Sequence, residues 1–168
     1  MEMRFPKVET KEEIAIVAQL ASAIWHEYFV SIISHEQIDY MIEKFQSVQA
    51  ITDQVNGQGY EYYLMNADGK NIGYLGVRQE EGKLFLSKFY IQQENRGKGY
   101  ASQAVAFLAD LCKNRGLGSI WLTVNRYNHD TIAIYEKKGF RKVRTQVADI
   151  GNGFVMDDWI MEKEIGSD

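Results

Sequence analysis

A single mixed α/β domain is the fold class predicted by this chain of 168 residues, and three observations point to it. Apolar residues recur with helical spacing in the first third, switch to the two-residue period of strands, and then alternate between the two patterns. Tight glycine turns at Asp68-Gly69, Glu81-Gly82 and Gly151-Asn152-Gly153 separate the strand-like runs. No repeat, linker or low-complexity tract divides residues 1–168, a length that suits one sizeable core. In order, the segments are one strand, two helices, three antiparallel strands, a helix, a strand, a helix and a two-strand hairpin. That makes a mostly antiparallel, twisted sheet of about seven strands flanked by about four helices.

Arg4 to Val8 reads as the first short strand. Thr10-Lys11-Glu12-Glu13 is a capping box, and Ile14, Val17, Ala18, Ala21, Ile24, Trp25 and Tyr28 follow with helical spacing. Ser34-His35-Glu36-Gln37 is a second such signal, leading into Ile38, Met41, Ile42 and Phe45. Residues 47–59, rich in Gln, Asn and Gly, read as a loop with at most a short helical turn. Tyr60–Met65 and Asn71–Arg78 alternate as a hairpin across Asp68-Gly69. The next strand, Leu84–Ile91, ends at a glycine-rich loop, after which Ala101, Ala104, Val105, Leu108, Leu111 and Cys112 mark one face of a helix. Ser119–Val124 is a strand, a helix follows Asn128, and Arg141–Ile150 pairs with Phe154–Glu164.

The loop Arg96-Gly97-Lys98-Gly99-Tyr100-Ala101 carries the chemistry. A strand-to-helix junction offers helix N-terminal N–H groups and the positive end of the helix dipole to an anion. Gly97 and Gly99 let the backbone approach closely, and Arg96 and Lys98 add charge. The spacing fits neither a P-loop nor a dinucleotide fingerprint, since position 102 is Ser.

The pattern (Arg/Gln)-x-x-Gly-x-(Gly/Ala) resembles the pyrophosphate loop of the GCN5-related N-acetyltransferases, the GNAT family. About thirty residues later, Asn128-His129-Asp130-Thr131-Ile132-Ala133-Ile134-Tyr135-Glu136-Lys137-Lys138-Gly139-Phe140 is similar to the family stretch N-x-x-A-x-x-x-Y-x-K-x-G-F. The run Gly153–Lys163 resembles the family's last strand. The likeness covers residues 60–165 well and the first fifty-odd only in outline.

The resemblance implies a GNAT fold and transfer of an acetyl group from acetyl-CoA to a primary amine. The acceptor stays open: a small polyamine, an amino-acid amine, an aminoglycoside or a protein N-terminus. It also implies that Gly97, Lys98, Gly99, Tyr100, Ala101 and Ser102, with Arg96, hold the diphosphate. Asn128 would meet the pantetheine arm, Lys137 a CoA phosphate, and the backbone of Phe89 and Ile91 the pantetheine and acetyl carbonyl. Tyr135 would be the general acid toward the leaving thiolate. Each has a plainer reading: Asn128 as a helix N-cap, Tyr135 as a core aromatic, Lys137 as a solvated charge. Gly139 is explained by a helix C-cap alone. Leu84–Ile91 contains no Asp or Glu, where a number of relatives carry a base, so Glu27, Glu36, Asp157, Asp158 or a water chain remain candidates. Asp157 and Asp158 should point to opposite faces of one strand. Gln93 stands where relatives often have Pro, and Thr131 where they often have Ala. The rival function is a non-catalytic acyl-CoA-binding sensor or interaction module.

Composition sets the remaining bounds. A net charge of −4 and no basic stripe argue against nucleic acid as the partner. No apolar run reaches the ~20 residues of a membrane span, and the first five residues lack an apolar signal segment. The single cysteine, Cys112, excludes an internal disulfide and suits a cytoplasmic location. Trp25, Tyr28 and Phe29 line either an acceptor pocket or the core. His26, His35 and His129 show no ligand spacing, so no metal is expected. Exposed strand edges leave a homodimer open.

Overall fold

Thr10 opens the first long helix as its sequence predicts. In the computed structural model, which describes residues 3–166, Thr10 accepts from Glu13 N at 3.2 Å while the Glu13 carboxylate accepts from Thr10 N at 2.9 Å. The Glu9 and Thr10 N–H groups hold the Glu13 pKa below its ordinary value. Helix α1 then runs Lys11–Tyr28, α2 His35–Phe45 and α3 Val48–Gly57. After them come β2 Tyr60–Ala67, β3 Lys70–Glu80, β4 Lys83–Ile91, α4 Tyr100–Arg115, β5 Ser119–Asn125, α5 His129–Lys137, β6 Arg141–Gly151 and β7 Phe154–Glu164. With the two-residue β1 (Met3–Arg4) the strand order is β1-β2-β3-β4-β5-β7-β6. β4 pairs with β5 in parallel, as the crossover through α4 requires.

Two readings of the sequence change. The strand expected at Arg4–Val8 gives way to the two-residue strand Met3–Arg4, and the chain meets β2 again at an isolated Lys7–Tyr63 bridge, where Val8 N donates to the Tyr62 carbonyl at 2.8 Å. Pro6 lies between and has no N–H to continue a ladder, though its carbonyl accepts from Leu64 N at 3.0 Å. The loop expected at 47–59 is instead helix α3, capped by Ser47, whose hydroxyl accepts from Ala50 N. Its addition brings the α-helices among the described residues to five.

The chain forms two compact units. The first joins residues up to Arg78 with Lys88–Ala104. Here α1 packs on α2 and α3, and the core holds Trp25, Tyr62, Met65, Tyr74 and Leu75. A buried hydrogen-bond chain threads it. Trp25 Nε1 donates to Tyr74 (3.0 Å), Tyr74 to Gln46 Oε1 (2.6 Å), Gln46 Nε2 to Tyr62 (2.9 Å), and Tyr62 to Gln54 Oε1 (2.6 Å). Gln54 Nε2 ends it on the Phe45 carbonyl at 2.8 Å. Burial pushes both tyrosine hydroxyls well above their usual pKa. Asp68 and Gly69 both take positive φ, 51° and 87°, as the tight β2–β3 turn demands.

The second unit joins Gln79–Ser87 with the residues from Val105 onward. Its ladder runs from the first part of β4 through β5 and β7 to β6. Phe85 and Trp121 stack on one face at 4.2 Å, and Leu84, Ile120 and Leu122 are buried.

Candidate functional site

The glycine-rich loop lies in the first unit. Arg96 follows a single 3₁₀ turn, Gln93–Asn95, in extended conformation. Gly97 and Gly99 then take φ of 77° and 82°, conformations costly for a side chain, and a Cβ on either would meet nothing within 4 Å. Both face open space directly before α4. The bond from Gln103 N to Gly99 O (3.3 Å) starts the helical ladder. By helix geometry the amides of the first turn aim off the N-terminus. Gly97, Lys98 and Gly99 are exposed, as are Arg96 and Ser102, while Tyr100 is buried and Ala101 half-buried. Residues present and space available suit a diphosphate. The Arg96 side chain is turned back, however: Nε donates to the Ile91 carbonyl at 3.0 Å and the guanidinium lies 5.2 Å from the Tyr28 ring centre. It fastens the loop to the end of β4.

The last part of β4 is only half-buried, although the strand has neighbours on both sides. Ser87, Lys88, Phe89 and Tyr90 are all half-buried, whereas Leu84, Leu86 and Ile91 are buried. Within the first unit, Tyr90 meets Trp25 (5.4 Å), Tyr28 (5.6 Å) and Tyr74 (5.8 Å). Trp25 and Phe29 are core residues, and Tyr28 stays half-buried at the edge of this cluster. Lys88 shares the Tyr90 face by strand alternation. The sequence reading passed over it, although a lone cation in the apolar run Leu84–Ile91 was the available signal. Burial of its ammonium lowers its pKa to about 8, while the residue as a whole is half-buried.

The second unit holds Asn128, Tyr135 and Lys137. The register of β5 against β4 ends at Leu86–Leu122, so Thr123 to Asn125 continue beside β7 alone. Asn128 then caps α5, its Oδ1 accepting from Thr131 N at 3.4 Å, and the residue remains half-buried. Tyr135 is buried at the other end of α5 and meets Phe140 edge-on at 5.4 Å. That contact belongs to a Schellman cap: Phe140 N donates to Tyr135 O and Gly139 N to Glu136 O around Gly139 at φ 96°. Lys163 closes the end by donating to the Lys138 carbonyl at 2.9 Å. Lys137 is exposed.

The two aspartates of β7 part company as alternation requires. Asp157 is half-buried with its carboxylate 3.0 Å from Arg126 Nε, an ion pair whose N–H is not aimed along that line. Asp158 is 4 % exposed, between Asn125 of β5 and Gln146 of β6 in the ladder. Burial first, and Asp157 second, raise its pKa to about 6. Glu27 and Glu36 are exposed. Cys112 is buried, and burial lifts its thiol to about 11. Among the described residues no cluster of three His, Cys, Asp or Glu could hold a metal, and no helix is long and apolar enough to cross a membrane.

Residues 18–140 match the model of the acetyltransferase (GNAT) family, nearly three-quarters of the chain. The chain belongs to that family. This GNAT chain is 31% identical over 75 residues to an uncharacterized N-acetyltransferase, YycN, of Bacillus subtilis, covering 42% of the chain and 48% of that protein. It is 28% identical over 81 residues to the streptothricin acetyltransferase of Streptomyces lavendulae, covering 47% and 43%. It therefore aligns with less than half the length of each. The crystal structure of the PaiA N-acetyltransferase from Thermoplasma acidophilum, in complex with coenzyme A, superposes with a TM-score of 0.80 at 21% identity, over 98% of this chain and 99% of that one. At that identity the superposition shows the GNAT fold, a mixed α/β architecture with a seven-stranded sheet and five helices.

Proposed function

We propose that this GNAT chain transfers an acetyl group from acetyl-CoA directly to a primary amine. The observation that carries this is the loop of Gly97 and Gly99, left-handed and facing open space before α4, beyond the half-buried end of β4. The backbone amides from Gly97 to Ala101 would hold the diphosphate, helped by Lys98, with Ser102 adding a hydroxyl from the first turn. Arg96 then has a double duty, anchoring the loop through Ile91 while lending its charge. Asn128 can cap α5 with Oδ1 and offer its amide to the pantetheine arm. Lys137, exposed, would reach a CoA phosphate. The family's coenzyme A-bound relative supports acetyl-CoA as the donor.

In the reaction the acceptor ammonium first loses a proton. The neutral amine bonds to the acetyl carbonyl carbon, the carbon–sulfur bond breaks, and the nitrogen's second proton is balanced by one delivered to sulfur. Asp158 is the best suited of the carboxyls weighed as base, because Asp157 is held by Arg126 and the glutamates are exposed. With its pKa near 6 it is ionised at neutral pH and ready to accept. Tyr135 would supply the proton to sulfur. A thiol of pKa ~8.5 is a fair leaving group, so this step helps rather than decides, and positioning does most of the work. A lone buried cysteine fits a reducing, cytoplasmic setting.

The test is thiol release from acetyl-CoA with a mixed amine panel, comparing the natural chain with Tyr135→Phe. A fall of about 10²-fold in turnover with unchanged acetyl-CoA binding is expected. Binding with no release by any amine would favour the non-catalytic sensor.

A further inference from the structure

Lys88 and Lys44 converge on one aromatic ring. Lys88 Nζ lies 6.0 Å, and Lys44 Nζ 5.5 Å, from the centre of Phe45 at the end of α2. Lys44 is exposed on the helix, whereas Lys88 rises from the half-buried end of β4. All three belong to the same compact unit, together with Tyr90 and Tyr28. Gly76 of β3 is what lets the Lys88 stem lie there. A Cβ on Gly76 would come 3.3 Å from the Lys88 Cβ and 3.1 Å from the Tyr62 ring.

We propose that the acceptor amine carries an anionic group, and that Lys88, with Lys44 outside it, is the positive site that reads it. This rests on the transferase reading above. The sign of the charge decides the substrate class. A diamine or polyamine would bring a second ammonium toward two lysines, and like charges at this range repel more strongly in a site partly shielded from water. A carboxylate would find a charge-assisted partner there, with the aromatic edges of Phe45, Tyr28 and Tyr90 to hold an apolar spacer. Burial has lowered the Lys88 pKa to about 8, so its charge is present below that pH and fades above it. Near it are Lys44, which shares the Phe45 ring, Tyr62, whose ring borders Gly76 as the Lys88 Cβ does, and Tyr90, next along the same face of β4. Burial holds the hydroxyls of Tyr62 and Tyr74 high, so they stay neutral through the range in which the Lys88 charge changes.

The experiment uses matched short-chain acceptors of equal length: an ω-amino acid, an alkylamine and a diamine. The kcat/KM of the full chain is measured for each, from about pH 6.5 to about pH 9.5, with acetyl-CoA as donor. The amino acid should exceed its diamine by roughly 10- to 100-fold, the worth of a hydrogen bond to a charged group. The ratio of amino acid to alkylamine should fall as pH rises through about 8, since the ratio cancels ionisation of the acceptor amine. Lys88→Gln should erase the preference and Lys88→Glu should invert it, both with unchanged acetyl-CoA affinity by calorimetry. Lys44→Glu, on an exposed helix surface, keeps the test decisive should the buried variants misfold, and should weaken the preference severalfold. Diamines or alkylamines preferred by the natural chain, or a preference indifferent to both lysines, would overturn this proposal and leave the transferase standing. No transfer to any amine would overturn both.

Discussion

Asp158→Asn should make the protein more stable at neutral pH, because the carboxyl it replaces is ionised there in a buried position. The carboxyl is 4 % exposed, and its pKa is raised from 3.8 to about 6, chiefly by burial and secondarily by Asp157. Each tenfold gain in proton affinity is worth about 1.4 kcal/mol, so a rise from 3.8 to about 6 corresponds to roughly 3 kcal/mol. The sign follows from which state holds the proton more tightly. A raised folded pKa favours the neutral acid in the native state, so folding is unhindered below about pH 4. Stability then falls as pH climbs toward 6, and the full cost is borne at pH 7 and above. Asn is nearly isosteric and has no charge to desolvate. Urea melts of the two full-length chains should therefore differ by roughly 3 kcal/mol in favour of the variant near pH 7.5, and by little near pH 4. A variant less stable at neutral pH, or a difference independent of pH, would refute the reasoning. A gain in stability coupled to a loss of turnover would mark Asp158 as a group kept for chemistry.

Three further outcomes follow from the packing and the site. Tyr62→Phe removes the hydroxyl that joins Gln46 to Gln54, takes one partner from each of two buried amides, and should cost about 1–3 kcal/mol in urea melts. Gly73→Ala places a Cβ against the Tyr90 carbonyl and the Ile91 Cα; overpacking of this kind should cost about 1–3 kcal/mol or more, read from the same melts. Gly139→Ala should lower the thermal midpoint, because φ of 96° disfavours any Cβ and Lys163 Nζ stands 2.6 Å from it; a wild-type midpoint would show that the Schellman cap tolerates a side chain.

Most of the fold was legible because its signals are local. Thr10 and Glu13 form the capping box their spacing implies, Asp68-Gly69 makes the turn only positive φ allows, and the two-residue period places the strands. The readings that changed depend on distant partners. Gln46 and Gln54 look like loop residues until the hydroxyls of Tyr62 and Tyr74, far along the chain, are seen to satisfy them. That buried network turns a polar stretch into α3. At the site, the glycines of the loop and the cap at Asn128 could be read directly, since backbone conformation is written in Gly and Asn. The return of Arg96 onto Ile91 and Tyr28 could not, because it depends on where α1 packs. Asp157 and Asp158 were indistinguishable as neighbours. Strand alternation separates them, and Arg126 then pairs with one while burial isolates the other.

Calorimetric titration of acetyl-CoA into the full chain, beside Gly99→Glu, tests most directly whether the loop before α4 is an acyl-CoA cradle. Gly99 faces open space at φ 82°, so a glutamate there would put a carboxylate where the diphosphate is proposed to lie. The natural chain should bind with a dissociation constant in the micromolar range, and the variant, with an otherwise comparable melt, should show no heat of binding. Absence of binding by the natural chain, or equal binding by both, would contradict the cradle and the transferase reading built on it.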